Sequence, residues 1–229
     1  MMILNEKTAE LIGMHIGDGT LYRTSPTLVW ELRGGLDEKE YYYKIVKPLL
    51  ESIFGLPFEP KFRSGGKNGC FGIQTSKKEV TSFFLEVGFS PGTKTYTVRV
   101  PEYIFGASTL IRLSFVRGLF DTDGCISFYR PNNKSLATYP RVELSSASEQ
   151  LRNDLFSLLS NLGFRAFVWG NLKRGEYKIC LAGKEQVERW FSLVKPHNAK
   201  HLNKFKFWKE QGHHMPRSHN LVLRRIAID

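Results

Sequence analysis

The chain repeats itself. Leu11-Ile12-Gly13-Met14-His15-Ile16-Gly17-Asp18-Gly19 and Ser114-Phe115-Val116-Arg117-Gly118-Leu119-Phe120-Asp121-Thr122-Asp123-Gly124 are both apolar, helix-forming runs that finish on an Asp-Gly step. Gly13 and Gly118, Asp18 and Asp123, and Gly19 and Gly124 are each separated by 105 residues. Farther along, residues 78–84 resemble residues 185–191 at an interval of 107. With 229 residues, the chain has room for two units of roughly 100 residues each.

Between these anchors the order of elements also matches. Apolar periodicity predicts a helix over about 8–17, strands at 20–24 and 27–33, and a longer helix over 37–54. Pro48 inside that helix predicts a kink or a break. Strands at 58–63 and 71–75 follow, joined by the turn-rich residues 64–69, and a helix over 77–87 closes the unit. The second half reads as a helix over 108–120, strands at 125–130 and 141–144, a helix over 148–162, strands at 166–169 and 177–181, and a helix over 184–194. Each half is αββαββα. The expected architecture is a mixed α/β (α+β) protein of two pseudo-twofold repeats, with the Asp-Gly helices paired at the interface and two antiparallel sheets half-exposed. The repeats occupy 1–95 and 108–229, the latter with a basic tail, and the linker 96–107 lies within a Gly/Pro/Thr-rich stretch, 88–107.

Composition supports a folded, charged molecule. Hydrophobic residues make up 41%, including 17 Phe, which is ample for a packed core and argues against disorder. The net charge is +11, and residues 195–229 hold eight Lys/Arg against two acids, so a polyanionic partner is expected. No apolar run approaches the roughly 18 residues of a membrane span, and the N-terminus lacks a signal peptide's pattern. A soluble, cytoplasmic protein without a membrane partner is expected. Cys70, Cys125 and Cys180 are far apart in strand-like runs, without finger or disulfide spacing, and read as free thiols.

The Asp-Gly endings pose a problem. A helix C-terminus carries partial negative charge, so acids there are unfavourable. Glycine is accounted for as a left-handed stop; the acids are not. A pseudo-dyad resolves this by bringing the two helix ends together. Gly13 and Gly17 on one helix, and Gly118 and Thr122 on the other, stand four apart, and small residues at that spacing allow close approach. Asp18 and Asp123 then lie side by side and require a cation between them. Oxygen ligands point to Mg²⁺ or Mn²⁺, which would activate water and stabilise a leaving oxygen in phosphodiester hydrolysis.

The two segments resemble the paired motifs of the LAGLIDADG homing endonucleases in their single-chain, two-motif form. Arg99-Val100-Pro101-Glu102-Tyr103-Ile104-Phe105-Gly106-Ala107-Ser108 is similar to the approach to the second motif in family members, including intein-borne ones. Ile16 departs from the pattern, standing where the family has an earlier acid. The resemblance implies that Asp18 and Asp123 are catalytic and bind divalent metal, with Gly17 and Thr122 as adjoining metal positions. Asp121 is then the non-catalytic helix acid that orients neighbours. The family's accessory lysine position falls on Val98, leaving Lys94 and Arg99 as substitutes, with Lys200 the parallel candidate in the second half.

The implied activity is double-strand cleavage of a long DNA target by a monomer. The chain starts without Cys or Ser and ends without His-Asn, so a free-standing, intron-encoded enzyme is expected rather than a splicing one. The alternative is an intron maturase, or another non-cleaving RNA- or DNA-binding protein of the same fold, acting on its own intron RNA. Strand alternation puts one face of each sheet on helices and the other toward nucleic acid. The outward candidates are Tyr22, Arg33, Lys61, Arg63 and Gln74 in the first repeat, with Phe58 and Phe62 inward. Those in the second repeat are Ser127, Tyr129, Arg141, Arg165 and Lys178. Arg would read guanine and Gln adenine. His15 is expected to be a packing residue. His213, His214 and His219, with Arg217, Arg224 and Arg225, are expected to form a basic tail.

Overall fold

Each half of the chain wraps one four-stranded antiparallel sheet around the end of a long apolar helix. The computed structural model describes residues 3–63, 69–130, 136–170 and 177–216. The first repeat runs α1 (Glu6–Ile16), β1 (Gly19–Thr24), β2 (Thr27–Gly34), α2 (Lys39–Tyr41), a π-helical turn (Tyr42–Val46), α3 (Lys47–Phe54), β3 (Lys61–Arg63), β4 (Cys70–Thr75) and α4 (Lys78–Glu86). After the short α5 (Glu102–Phe105), the second runs α6 (Thr109–Asp123), β5 (Gly124–Tyr129), β6 (Tyr139–Ser146), α7 (Glu149–Asn161), β7 (Ala166–Trp169), β8 (Tyr177–Ala182) and α8 (Lys184–Leu193). A further helix, α9 (Ala199–Gln211), follows. The strand orders are β1-β2-β4-β3 and β5-β6-β8-β7, the same topology twice.

Local chemistry sets these elements. Asn5 and Thr8 form a reciprocal capping box at the start of α1. Ser108 caps α6 by accepting from the Ile111 amide. In the sheets, period-two alternation sends Leu21, Trp30, Leu32 and Ile73 to the core on one side, and Ile126, Val142, Leu144, Ile179 and Leu181 on the other. These rows pack on helices and merge with α1 and α6 into one core.

The centre of that core is the α1–α6 pair, and its contact is backbone to backbone. A Cβ on Gly118 would overlap the Glu10 carbonyl oxygen, and one on Gly13 would overlap the Phe115 carbonyl oxygen. Gly17 is pressed against the Thr122 side chain in the same way. Glycine is needed here for proximity. The expected left-handed stops do not occur: neither Gly19 nor Gly124 has a positive φ. A Cβ at Gly19 or Gly124 would instead strike His15 or Phe120, because each strand folds directly back over its helix end.

Several sequence expectations are corrected. The break predicted at Pro48 takes the form of the π-helical turn just ahead of it, and Pro48 sits at the start of α3, where its missing amide costs least. The strand expected over 58–63 shrinks to Lys61–Arg63, since Pro57 and Pro60 cannot donate to a ladder. Phe62, expected inward, is 60% exposed on this edge strand. The stretch 88–107 is more than a connection, for it buries Val98, Val100 and Ile104 in the core. The turn at 64–68 and the tail residues Arg217, His219, Arg224 and Arg225 lie outside the described residues. Cys70, Cys125 and Cys180 are free thiols. Among the described residues, no helix is long and apolar enough to cross a membrane.

The helix contact gives a direct test. Gly118→Ala should lower the melting temperature, and Gly118→Leu should leave little folded protein, because overpacking of about 1–3 kcal/mol is expected even where neighbours can shift. Backbone atoms here cannot. A thermal melt of Gly118→Ala indistinguishable from that of the parent would refute the close approach.

Candidate active site

The paired helices end together, and that places the two motif acids. A Cβ built on Gly17 would lie 3.5 Å from the Asp123 carboxyl carbon, so the Asp123 side chain rests against the residue before Asp18. Asp18 is half-buried and Asp123 retains solvent access. Burial, together with the charges of Asp123 and Glu38, pushes the Asp18 carboxyl up to about 7, against the opposing pull of Lys200 and Lys94. Loss of hydration also raises Asp123, with Lys94 and Lys200 again opposing. Two carboxylates that resist ionising together, made of hard oxygen donors, suit a divalent cation such as Mg²⁺ or Mn²⁺.

The basic neighbours come from both repeats. Lys94 Nζ donates to the carbonyls of Ile16 at 2.6 Å and Gly17 at 2.7 Å, capping the C-terminus of α1. Burial pulls the Lys94 ammonium below its ordinary range, and Asp123 and Asp18 hold its charge in place. Lys200 Nζ donates to Glu38 at 2.8 Å. Of the two positions expected beside the acids, Gly17 offers its carbonyl, which accepts from Lys94. The Thr122 hydroxyl turns back into its own helix, donating to Gly118 and Leu119 at 3.1 Å, so its side chain is not offered to the site. Arg99 is elsewhere: its guanidinium is 3.3 Å from Asp154 on α7 and 62% exposed, drawn off by that carboxylate.

Behind the two acids lies a buried polar knot that the residue pattern did not reveal. Asp121, fully buried, accepts from the backbone amides of His197 at 2.8 Å and Asn198 at 3.2 Å. Asn198 Nδ2 in turn donates to the Asp121 carbonyl at 2.9 Å and to Glu38 at 2.6 Å. Glu10 meets Arg117 at 2.7 Å and His197 Nδ1 at 3.0 Å. Burial disfavours the charged form of Glu10, but the bonds from His197 and Arg117 outweigh it and hold the carboxyl below its usual range. Asp121 goes the other way, pushed up to about 7 by burial despite the amides it accepts. Glu10, Asp121 and His197 bring their ligand atoms within 4.8 Å of one another. Each carboxylate oxygen is already engaged by the chain, so this grouping fastens α1, α6 and the start of α9 together. His15 is a packing residue: it is buried against Phe84 and Phe89, accepts from Trp30 Nε1 at 3.2 Å, and burial lowers its ring to about 3. One signal could have exposed part of the knot, namely an acid, Glu10, and a base, Arg117, each set among the apolar residues of a motif helix. Glu38 and Asn198 carry no such mark.

Tyr22, Arg33, Lys61, Arg63 and Gln74 share the face of the first sheet opposite the helices, by strand register. At its centre Glu31 accepts from Arg33 at 2.6 Å and Tyr22 at 3.3 Å. Ser127, Tyr129, Arg141 and Lys178 share the matching face of the second sheet. Glu143 is its hub, accepting from Tyr129 at 2.8 Å and Lys178 at 3.2 Å. Arg165 is not with them; Glu185, at the start of α8, holds its guanidinium at 2.7 Å.

A duplicated α/β protein with two acids and two lysines gathered where its paired helices end, and a polar sheet face on each side, is the class defined so far. Residues 111–195 match the family described as LAGLIDADG-like domain. The fold is similar to that of the homing endonuclease I-DmoI in complex with DNA and Mn, with a TM-score of 0.59 at 15% identity over 85% of this chain and 99% of that one. It is also similar to the meganuclease I-SmaMI bound to uncleaveable DNA, with a TM-score of 0.60 at 12% identity over 97% and 98%. Residues 111–195 therefore carry the LAGLIDADG-like domain, and the chain as a whole has the same two-repeat fold as these two proteins.

Curated relatives include the replicative DNA helicase DnaB of Rhodothermus marinus, 32% identical over 201 residues and 83% of this chain. Another is the ribonucleoside-diphosphate reductase NrdEB subunit alpha of Bacillus subtilis (strain 168), 26% identical over 174 residues and 73% of this chain. The chain spans only 20% and 15% of the length of these two relatives.

The buried knot predicts its own stability signature. Arg117→Met should cost about 3–5 kcal/mol in urea unfolding, since it strands the Glu10 charge in the interior. Adding Glu10→Gln should recover part of that loss. Additive losses in the double variant would mean the two side chains do not act as a pair.

Proposed function

We propose that this protein is a site-specific double-strand DNA endonuclease that hydrolyses phosphodiesters with divalent metal held by Asp18 and Asp123. The observation that carries the reading is the meeting of these two carboxylates at the ends of packed helices. Each lies next to a lysine and between two sheets whose free faces are lined with Arg, Lys, Gln and Tyr. A metal ion bound there would supply charge stabilisation at the scissile phosphate and a nucleophilic water at neutral pH. The chain's own residues do the rest. Asp18 and Asp123 hold the ligand oxygens, one toward each strand. Lys94 fixes the end of α1 through the Ile16 and Gly17 carbonyls, and Lys200 places a second cation near the acids under the grip of Glu38. The sheet faces bind the duplex through phosphates and base edges.

The relatives lend a second kind of support. A helicase and a reductase subunit have no activity in common, so the segment they share with this chain has a role separate from either. That suits a self-contained module acting on DNA, and intron encoding is part of the same proposal.

Asp18→Asn or Asp123→Asn should abolish double-strand cleavage of a cognate plasmid while leaving duplex binding intact in gel shift, because each removes a metal ligand and leaves the sheets untouched. Asp123→Asn that still linearises the plasmid at the parental rate would overturn the assignment. Tight binding of the cognate intron RNA, with the matching DNA uncut in Mg²⁺, would favour the maturase reading. The raised Asp18 carboxyl adds a pH dependence. Below about 7 the cation must displace a proton. Calorimetric Mg²⁺ affinity should therefore rise by about tenfold per pH unit up to that point and then level off. A flat profile from pH 5 to 8 would argue against Asp18 as a ligand.

A further inference from the structure

The two sheets have the same topology, and their registers can be aligned through Leu32 and Leu144, which pair with Ile73 and Ile179 respectively. On that alignment Glu31 and Glu143 coincide on the free faces. Around them the chemistry diverges. Gln74, opposite Glu31, is replaced by Cys180, opposite Glu143. Lys61 on the edge strand, paired with Gly72, is replaced by Trp169, paired with Lys178. Phe167, paired with Cys180, extends the apolar row. One sheet offers hydrogen-bonding side chains and the other offers aromatic rings at equivalent places.

Those rings are not buried by the protein: Trp169 is 50% exposed and Phe167 37%. Exposed aromatics in a row mark a surface that a partner covers. The patch is also cationic, with Lys178 Nζ 5.5 Å from the Trp169 ring centre and the Arg141 guanidinium 3.7 Å from that of Tyr129 and 5.9 Å from that of Phe167. Cations resting on the rings attract a polyanion and occupy faces on which an unpaired base would otherwise stack. Apolar bumps on a polyanion are what thymine methyls present in the major groove of duplex DNA, where aromatic and other apolar side chains are their partners. Gln and Lys on the first sheet suit adenine and guanine edges instead.

We propose that the protein reads the two halves of its duplex target by different chemistry, with Phe167 and Trp169 recognising thymine methyls in the half-site under the second repeat, and Lys61 and Gln74 recognising purine edges under the first. This rests on the duplex-DNA reading proposed above. The test uses the full chain and a pool of randomised duplexes, selected in Ca²⁺ so that bound DNA survives. The parent should return a site with thymines concentrated in one half. Phe167→Ala/Trp169→Ala, whose changed side chains are solvent-facing and whose melting temperature serves as the folding control, should lose that preference in the same half only. Replacing thymine by uracil there should weaken parental binding by about fourfold for each buried methyl, from the transfer energy of a single methyl group. The same replacement in the other half should leave affinity unchanged. A selected duplex that is bound and cut, yet is indifferent to uracil in either half, overturns this inference and leaves the nuclease reading standing. If no duplex is selected, both fall. If a randomised single-stranded RNA pool binds through the same two aromatics and duplex does not compete, the surface reads unpaired bases instead.

Discussion

The close approach of α1 and α6 is the constraint on which the rest depends. Gly13 faces the Phe115 carbonyl and Gly118 faces the Glu10 carbonyl, so the helices meet along their backbones with no side-chain layer between them. The ends must then meet as well, and each end carries a negative partial charge from its own carbonyls and an aspartate close beside it. Packing that favours the core therefore builds an unfavourable electrostatic focus at its tip. The chain answers with groups borrowed from distant segments. Lys94 caps the carbonyls at the end of α1, and Asn198 caps the Asp121 carbonyl near the end of α6. Neither removes the conflict between Asp18 and Asp123 themselves. What remains is a pair of close carboxyl groups whose ordinary ionisation is disfavoured.

The sheets inherit their placement from the same pair. Gly19 and Gly124 begin their strands immediately beyond the helix ends, folded so tightly that a methyl group would collide with His15 or Phe120. Each sheet is thus fixed to its acid by a single residue, and its free face is carried to the side of the site. Alternation then decides which side chains that face presents. This coupling explains why a glutamate can stand at the centre of each face. Glu31 and Glu143 hold Tyr and Arg or Lys partners in fixed positions, ordering groups that would otherwise lose rotamer freedom on binding.

Much of this was legible in the sequence because duplication supplies an internal standard. The spacing of Gly13 and Gly118, and of Asp18 and Asp123, by itself implies the helix pair and the meeting of the acids. The alternating strands gave the faces of nine of the ten candidate contact residues. What failed did so for local reasons. Arg165 and Arg99 were diverted by carboxylates, Glu185 and Asp154, whose positions depend on how helices sit beside the sheets. The 58–63 strand was shortened by prolines that periodicity overlooks. Lys94 could not be separated from Arg99 by sequence, since the loop's path toward the Ile16 carbonyl is a tertiary fact. Glu38 and Asn198 were invisible because the contacts that draw them into the site cross more than 75 residues of chain.

The pseudo-symmetry breaks at the position before each Gly or Thr, and the break is informative. In the first repeat that position is Ile16, an apolar side chain in the core whose carbonyl receives Lys94. In the second it is Asp121, an acid buried completely and bonded to the amides of His197 and Asn198. Both arrangements pin a distant segment to a helix end, one through a carbonyl and a lysine, the other through a carboxylate and two amides. The second draws Asn198 and Lys200 into reach of Glu38, which adds negative charge beside Asp18 and is absent from the surroundings that shift Asp123. Burial is the largest cause of the raised Asp18 carboxyl, and the charges of Asp123 and then Glu38 add to it. Two acids that duplication made alike are made unequal by the residues that secure them.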